Sequence, residues 1–75
     1  MAQIEFFEEG TQNLIANAQG SDLSVIPCID DQVYIPHSEH PGVYAHIRVN
    51  GRQFFYGLDG CLTMVRIPCQ VLRER

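Results

Sequence analysis

Two β-rich runs, Val43-Tyr44-Ala45-His46-Ile47-Arg48-Val49 and Arg52-Gln53-Phe54-Phe55-Tyr56, stand on either side of Asn50-Gly51. Asn-Gly is the preferred type I′ hairpin turn, because both of its central residues need positive φ. A two-residue loop would fix the register: Val49 faces Arg52, Ile47 faces Phe54 and Ala45 faces Tyr56. Strand side chains alternate between faces, so Val43, Ala45, Ile47, Val49, Phe54 and Tyr56 are expected on a core face. Tyr44, His46, Arg48, Gln53 and Phe55 would then occupy the other.

More strand signals follow and precede this segment. Gly57-Leu58-Asp59-Gly60 reads as a turn, and Cys61-Leu62-Thr63-Met64-Val65-Arg66-Ile67 as a strand. Pro68 is expected to end that strand or place it at a sheet edge, since proline donates no ladder hydrogen bond. Gln70-Val71-Leu72 suits a short last strand, and the tail Arg73-Glu74-Arg75 is expected to fray. Asp30-Asp31 suits a turn, Val33-Tyr34-Ile35 a short strand, and His37 to Gly42 a polar loop.

The N-terminal third admits two readings. As strands, Gln3 to Glu8 and Asn13 to Ala18 form a hairpin around Glu9-Gly10-Thr11-Gln12. As a helix, Ile4, Phe7, Thr11, Leu14, Ile15 and Ala18 share one face. Gly10 in mid-helix would cost about 1 kcal/mol against alanine, and Ile4, Phe6 and Phe7 favour strand. The expected fold is therefore one all-β domain over residues 1–75, a small antiparallel meander or partly open SH3-like barrel of five or six strands. The alternative is α+β, with an N-terminal helix packed on a four-stranded antiparallel sheet.

The order of Ser21-Asp22-Leu23, Pro27, Asp30-Asp31, Val33, Ile35-Pro36 and Val43-Tyr44 resembles short β-meander proteins of bacteria and phages. These proteins are SH3-like, and some are carried on mobile elements such as integron gene cassettes. Asp30-Asp31 stands where such proteins often have Gly-Asp. The resemblance implies a fold and no activity.

Composition narrows the functional classes. A chain of 75 residues buries only about 60% of its unfolded surface, so self-association is an expected source of added stability. The net charge is −4, with no lysine. All the charged residues up to position 40 are acidic (Glu5, Glu8, Glu9, Asp22, Asp30, Asp31, Glu39), whereas Arg48, Arg52, Arg66, Arg73 and Arg75 follow. Such a chain is a poor non-specific binder of nucleic acid or of an anionic membrane. The segregation is either chance in a short chain or a dipolar surface that helps two copies dock. Cys28, Cys61 and Cys69 are odd in number and lack CxxC spacing, which reads as free thiols in a reducing, cytoplasmic setting. The first residues have neither a basic region nor an apolar stretch of signal-peptide length, so export is not expected.

No motif requires an enzyme or a cofactor. His37, Glu39 and His40, with His46 nearby, are the candidate metal cluster, but their spacing matches no recognised zinc pattern and a solvated loop is the plainer account. No phosphate loop or nucleophile elbow is present. The most site-like feature is Tyr44, His46, Arg48 and Phe55, aromatic and Arg residues on a face where polar residues are expected. The competing account is that this face is the second side of a two-sided core. Two functions follow as expectations. One is a non-enzymatic interaction protein that forms a homodimer or docks a protein partner. The other is a binding module for nucleic acid or a small ligand, using Tyr44, His46, Arg48 and Phe55.

Overall fold

The computed structural model describes residues 2–20, 26–37 and 40–74. It contains six strands and, among the described residues, no helix: β1 (Ala2–Glu8), β2 (Leu14–Gly20), β3 (Gln32–Pro36), β4 (Tyr44–Val49), β5 (Gln53–Tyr56) and β6 (Leu62–Glu74). They form one sheet in the order β2-β1-β6-β4-β3, with β5 also paired to β6. The sheet curls into a half-barrel, as expected for a small, open SH3-like barrel. Ser21-Asp22-Leu23 lie outside the described residues.

The N-terminal third is the hairpin rather than the helix. Glu8 N donates to Asn13 O at 2.8 Å, and Gln12 N donates to Glu8 O at 2.8 Å. Gln12 turns the chain with φ 63. Period-two alternation decides the outcome: Ile4 and Phe6 face the core opposite Ala18 and Ala16, while Glu5 and Asn17 face outward. A bulge between Phe6 and Phe7 then lets Ile15 turn into the core as well.

The central hairpin is not where Asn50-Gly51 suggests. Neither Asn50 nor Gly51 has positive φ, which excludes a type I′ turn. β4 and β5 do not pair with each other. They follow one another along the same side of β6, with Val49 opposite Cys69 and Gln53 opposite Arg66. The reversal is made at Gly57–Cys61. Gly60 N donates to Gly57 O at 3.0 Å, Gly57 N donates to Cys61 O at 2.8 Å, and Gly60 has φ +82. This is a type I turn followed by a left-handed glycine, the usual three-residue hairpin loop. Asp59 Oδ1 accepts from Cys61 N at 3.0 Å, and this bond holds the Asp59 carboxyl below its ordinary pKa.

Pro68 explains the interruption at residues 50–52. It neither ends β6 nor marks a sheet edge, because β6 runs through it to Glu74, taking in Arg73 and Glu74 of the tail expected to fray, whose last residue, Arg75, lies outside the described residues. Pro68 O accepts from Asn50 N at 2.9 Å, so the position of the missing N–H also faces the β4–β5 side. The gap between those strands falls where the proline offers no donor.

β1 lies parallel to β6, from Gln3 opposite Met64 to Glu8 opposite Cys69, which joins the two ends of the chain in the sheet centre. A meander alone lacks this contact. The core is the inner face of the curl: Ile4 and Phe6, Ile15 and Ala16, Ala45, Ile47 and Val49, and Val65, Ile67 and Cys69, closed by Ile26. Each such aliphatic side chain contributes about 1.5–3 kcal/mol on burial. The β4 half of the expected core face is therefore buried, but Phe54 and Tyr56 of β5 are exposed. All three cysteines are free, and burial pushes the Cys69 thiol up to about 12, so it packs as a small neutral side chain. No helix is long and apolar enough to cross a membrane among the described residues.

Candidate functional site

Alternation on β4 sends Ala45, Ile47 and Val49 inward and leaves Tyr44, His46 and Arg48 on the outer face. The flanking strands set their neighbours. On β3, Tyr34 stands opposite His46, Gln32 opposite Arg48 and Pro36 opposite Tyr44. On β6, Arg73 stands opposite His46 and Gln70 opposite Arg48. The result is an outer patch of aromatic, amide and guanidinium groups across three strands.

Its geometry is specific. The Tyr34 and His46 rings stack with centroids 4.2 Å apart and planes 11° apart. His46 Nε2 lies 2.7 Å from Gln32 Oε1. An amide oxygen accepts, so the contact is a hydrogen bond when Nε2 carries the proton. Arg48 Nη2 donates to Gln70 Oε1 at 2.6 Å. Tyr34, Tyr44, His46 and Arg73 line a cleft of about 340 Å³, within the size range of small-ligand sites. Tyr34 is 66% and Tyr44 54% exposed, so both rings present surface to solvent. Among the described residues the cleft lining carries no carboxylate, and Arg73 makes no ion pair or hydrogen bond with another described side chain.

The expected residues separate into two places. Tyr44, His46 and Arg48 share the patch. Phe55 does not, because it lies opposite Met64 on β5, six residues before Gln70 on β6. At about 3.3 Å per residue that is roughly 20 Å along the strand. The Asn50-Gly51 register would have set Phe55 against His46; the actual hairpin sends it to the far end of the sheet. Tyr34, Gln32 and Arg73 complete the patch without having been singled out. The alternation of Val33 and Ile35 with Tyr34 carried the signal for the β3 pair, whereas Arg73 fell in the tail expected to fray.

The histidines also divide. The His37 and His40 rings are 4.5 Å apart and tilted by 47°. They line a separate cavity of about 210 Å³ with Glu8, Asn13, Leu14, Ile15 and Val71, while His46 stacks on Tyr34 on the outer face. Glu39 lies outside the described residues. Among the described residues no group of three or more His, Cys, Asp or Glu is placed to hold a metal ion. No protein family, curated protein or solved structure matches the chain.

Proposed function

We propose that the chain is a small, non-enzymatic binding module whose ligand seat is the cleft of Tyr34, Tyr44, His46 and Arg73, with Arg48 at its rim. The ligand class is a planar ring carrying a carboxylate or phosphate. The observation that carries the reading is the stacked Tyr34–His46 pair beside the Arg73 guanidinium, which has no ion-pair partner and no neighbouring carboxylate among the described residues of the lining. A ring stacked on an aromatic side chain gains about 1–3 kcal/mol. A guanidinium fork matches a carboxylate or phosphate in two parallel hydrogen bonds. Gln32 and the stacking partner already hold His46 in place, so little side-chain entropy is lost on binding. Among the described residues the cleft lining holds no serine, cysteine or carboxylate that would serve as nucleophile or base, which supports binding over catalysis. A single anion also suits a chain of net charge −4 better than a polyanion does. The three free thiols support a reducing, cytoplasmic setting.

The test is an NMR titration of the labelled protein with a nucleoside 5′-monophosphate, the matching nucleoside and inorganic phosphate. The monophosphate is expected to shift the resonances of Tyr34, Tyr44, His46 and Arg73 at submillimolar concentration. The nucleoside and phosphate should bind at least about tenfold more weakly, since each lacks half of the recognised chemistry. Arg73→Ala and Tyr34→Ala should each remove most of the response. Absence of any shift in this patch at millimolar monophosphate would sink the reading.

A further inference from the structure

Among the described residues, β5 is the strand whose side chains are all exposed. All four of its residues, Gln53, Phe54, Phe55 and Tyr56, are exposed, and so is Leu58 at the tip of the following turn. The two faces are both aromatic: Phe54 sits across from Val65 on the inner side, and Phe55 across from Met64 on the outer side. Among the described residues β5 hydrogen-bonds to β6 alone, which leaves its other edge open. The remaining open edges carry protective features. β3 ends in Pro36, and β2 is distorted by the bulge opposite Phe6 and Phe7. In β5 the extra residue of the register shift, Thr63, belongs to β6, so the free edge of β5 stays regular.

We infer that β5 pairs with β5 of a second copy, antiparallel and about a two-fold axis at Phe55. Backbone direction sets this register. Gly57 N is bonded to Cys61 O, and Phe55 O accepts from Thr63 Oγ1 at 3.0 Å, so both of those residues point to β6. The intervening Tyr56, and Phe54 before Phe55, therefore turn their N–H and C=O groups outward. Phe54 of one copy meets Tyr56 of the other in a hydrogen-bonded pair on the inner face. Phe55 meets its own symmetry mate on the outer face, and aromatic cross-strand pairs of this kind are stabilising.

Charge selects the same arrangement. Arg52 precedes β5 and Asp59 follows it, and antiparallel pairing brings the first toward the second copy's equivalent of the other, twice over. Asp59 is exposed, and its hydrogen bond to Cys61 N keeps it ionised. Stable interfaces begin at about 1,200 Å² in total, and a contact built on one four-residue strand is small on that scale. It is a reversible dimer governed by concentration. The inference is independent of the ligand reading, since the cleft lies at the other end of β6.

Sedimentation equilibrium from about 10 to 500 µM, together with hydrogen exchange at both limits, tests it. The mass is expected to rise from 8.5 kDa toward twice that value. The Phe54 and Tyr56 amides should gain protection with concentration. Phe55→Ser and Arg52→Glu should each weaken dimerisation roughly tenfold or more, and high salt should weaken the wild type. Tyr34→Ala, which removes the cleft, should leave the mass curve unchanged. A mass of 8.5 kDa at every concentration overturns the inference. So does a dimer in which Phe54 and Tyr56 amides remain unprotected, whatever the variants do.

Discussion

Glycine has opposite meanings at two positions only nine residues apart. Gly60 has φ +82, in the left-handed region that an L side chain enters at a cost of about 1–2 kcal/mol. Gly51 does not, and a Cβ there would touch Pro68 Cγ at 3.4 Å. Gly60→Ala is therefore expected to cost about 1–2 kcal/mol, and Gly51→Ala less than about 0.5 kcal/mol. Urea denaturation of both variants checks the ordering; a larger loss at Gly51 would restore the Asn50-Gly51 hairpin. Both turns were legible as turns, because Gly, Asn and Asp mark them locally. Which of them reverses a pair of strands was not local information. It depended on Pro68, seventeen residues beyond Gly51, which denies β4 and β5 a continuous partner. The Asp30-Asp31 turn, by contrast, could be read directly. Asp30 adopts φ 73, Asp31 Oδ2 accepts from Cys28 N at 2.8 Å, and short polar side chains suit both tasks.

At the scale of elements, alternation identified the strands and the inward residues of β4, since one face of that strand had to be apolar. It did not identify which strands are neighbours. The contact between β1 and β6 shows the difference. On the outer face Arg66 lies 3.4 Å from Glu5 and spreads over the Phe7 ring, with its guanidinium carbon 4.2 Å from the centroid. Glu5 belongs to the acidic half of the sequence and Arg66 to the basic half, so part of the charge separation is spent inside the fold. Phe7 is buried although it faces away from the main core cluster, and Arg66 supplies part of its cover. Arg66→Ala should thus cost about 1–2 kcal/mol, while Glu5→Gln, which loses only a half-exposed ion pair, should cost about 0.5 kcal/mol or less. Denaturation midpoints distinguish the two; equal losses would assign the whole effect to the ion pair. The outer patch was partly legible for the same reason. Tyr44, His46 and Arg48 share a face of one strand, but Tyr34 and Arg73 join them only through neighbours that periodicity cannot name.

At the scale of the whole molecule, β6 is the common partner: thirteen residues long, it is flanked by β1 on one side and by β5 and then β4 on the other. The expected all-β, open-barrel architecture holds, and its sides are made by hairpins at 8–13 and 57–61 and by the β3–β4 pair. The parallel seam has a consequence in time. Gln3 finds its place beside Met64 only after the sixty residues between them have been synthesised. The first hairpin can form early, but one flank of it must wait for the final strand. Loop closure over such a span is entropically costly before any contact repays it. Refolding is accordingly expected on the millisecond-to-second scale typical of non-local β topologies, and stopped-flow mixing would reveal it as a resolvable phase; completion within the dead time would contradict it. Until β6 arrives, the nascent chain holds its N-terminal hairpin with a bare inner edge, and that interval is when the molecule most needs to avoid its neighbours.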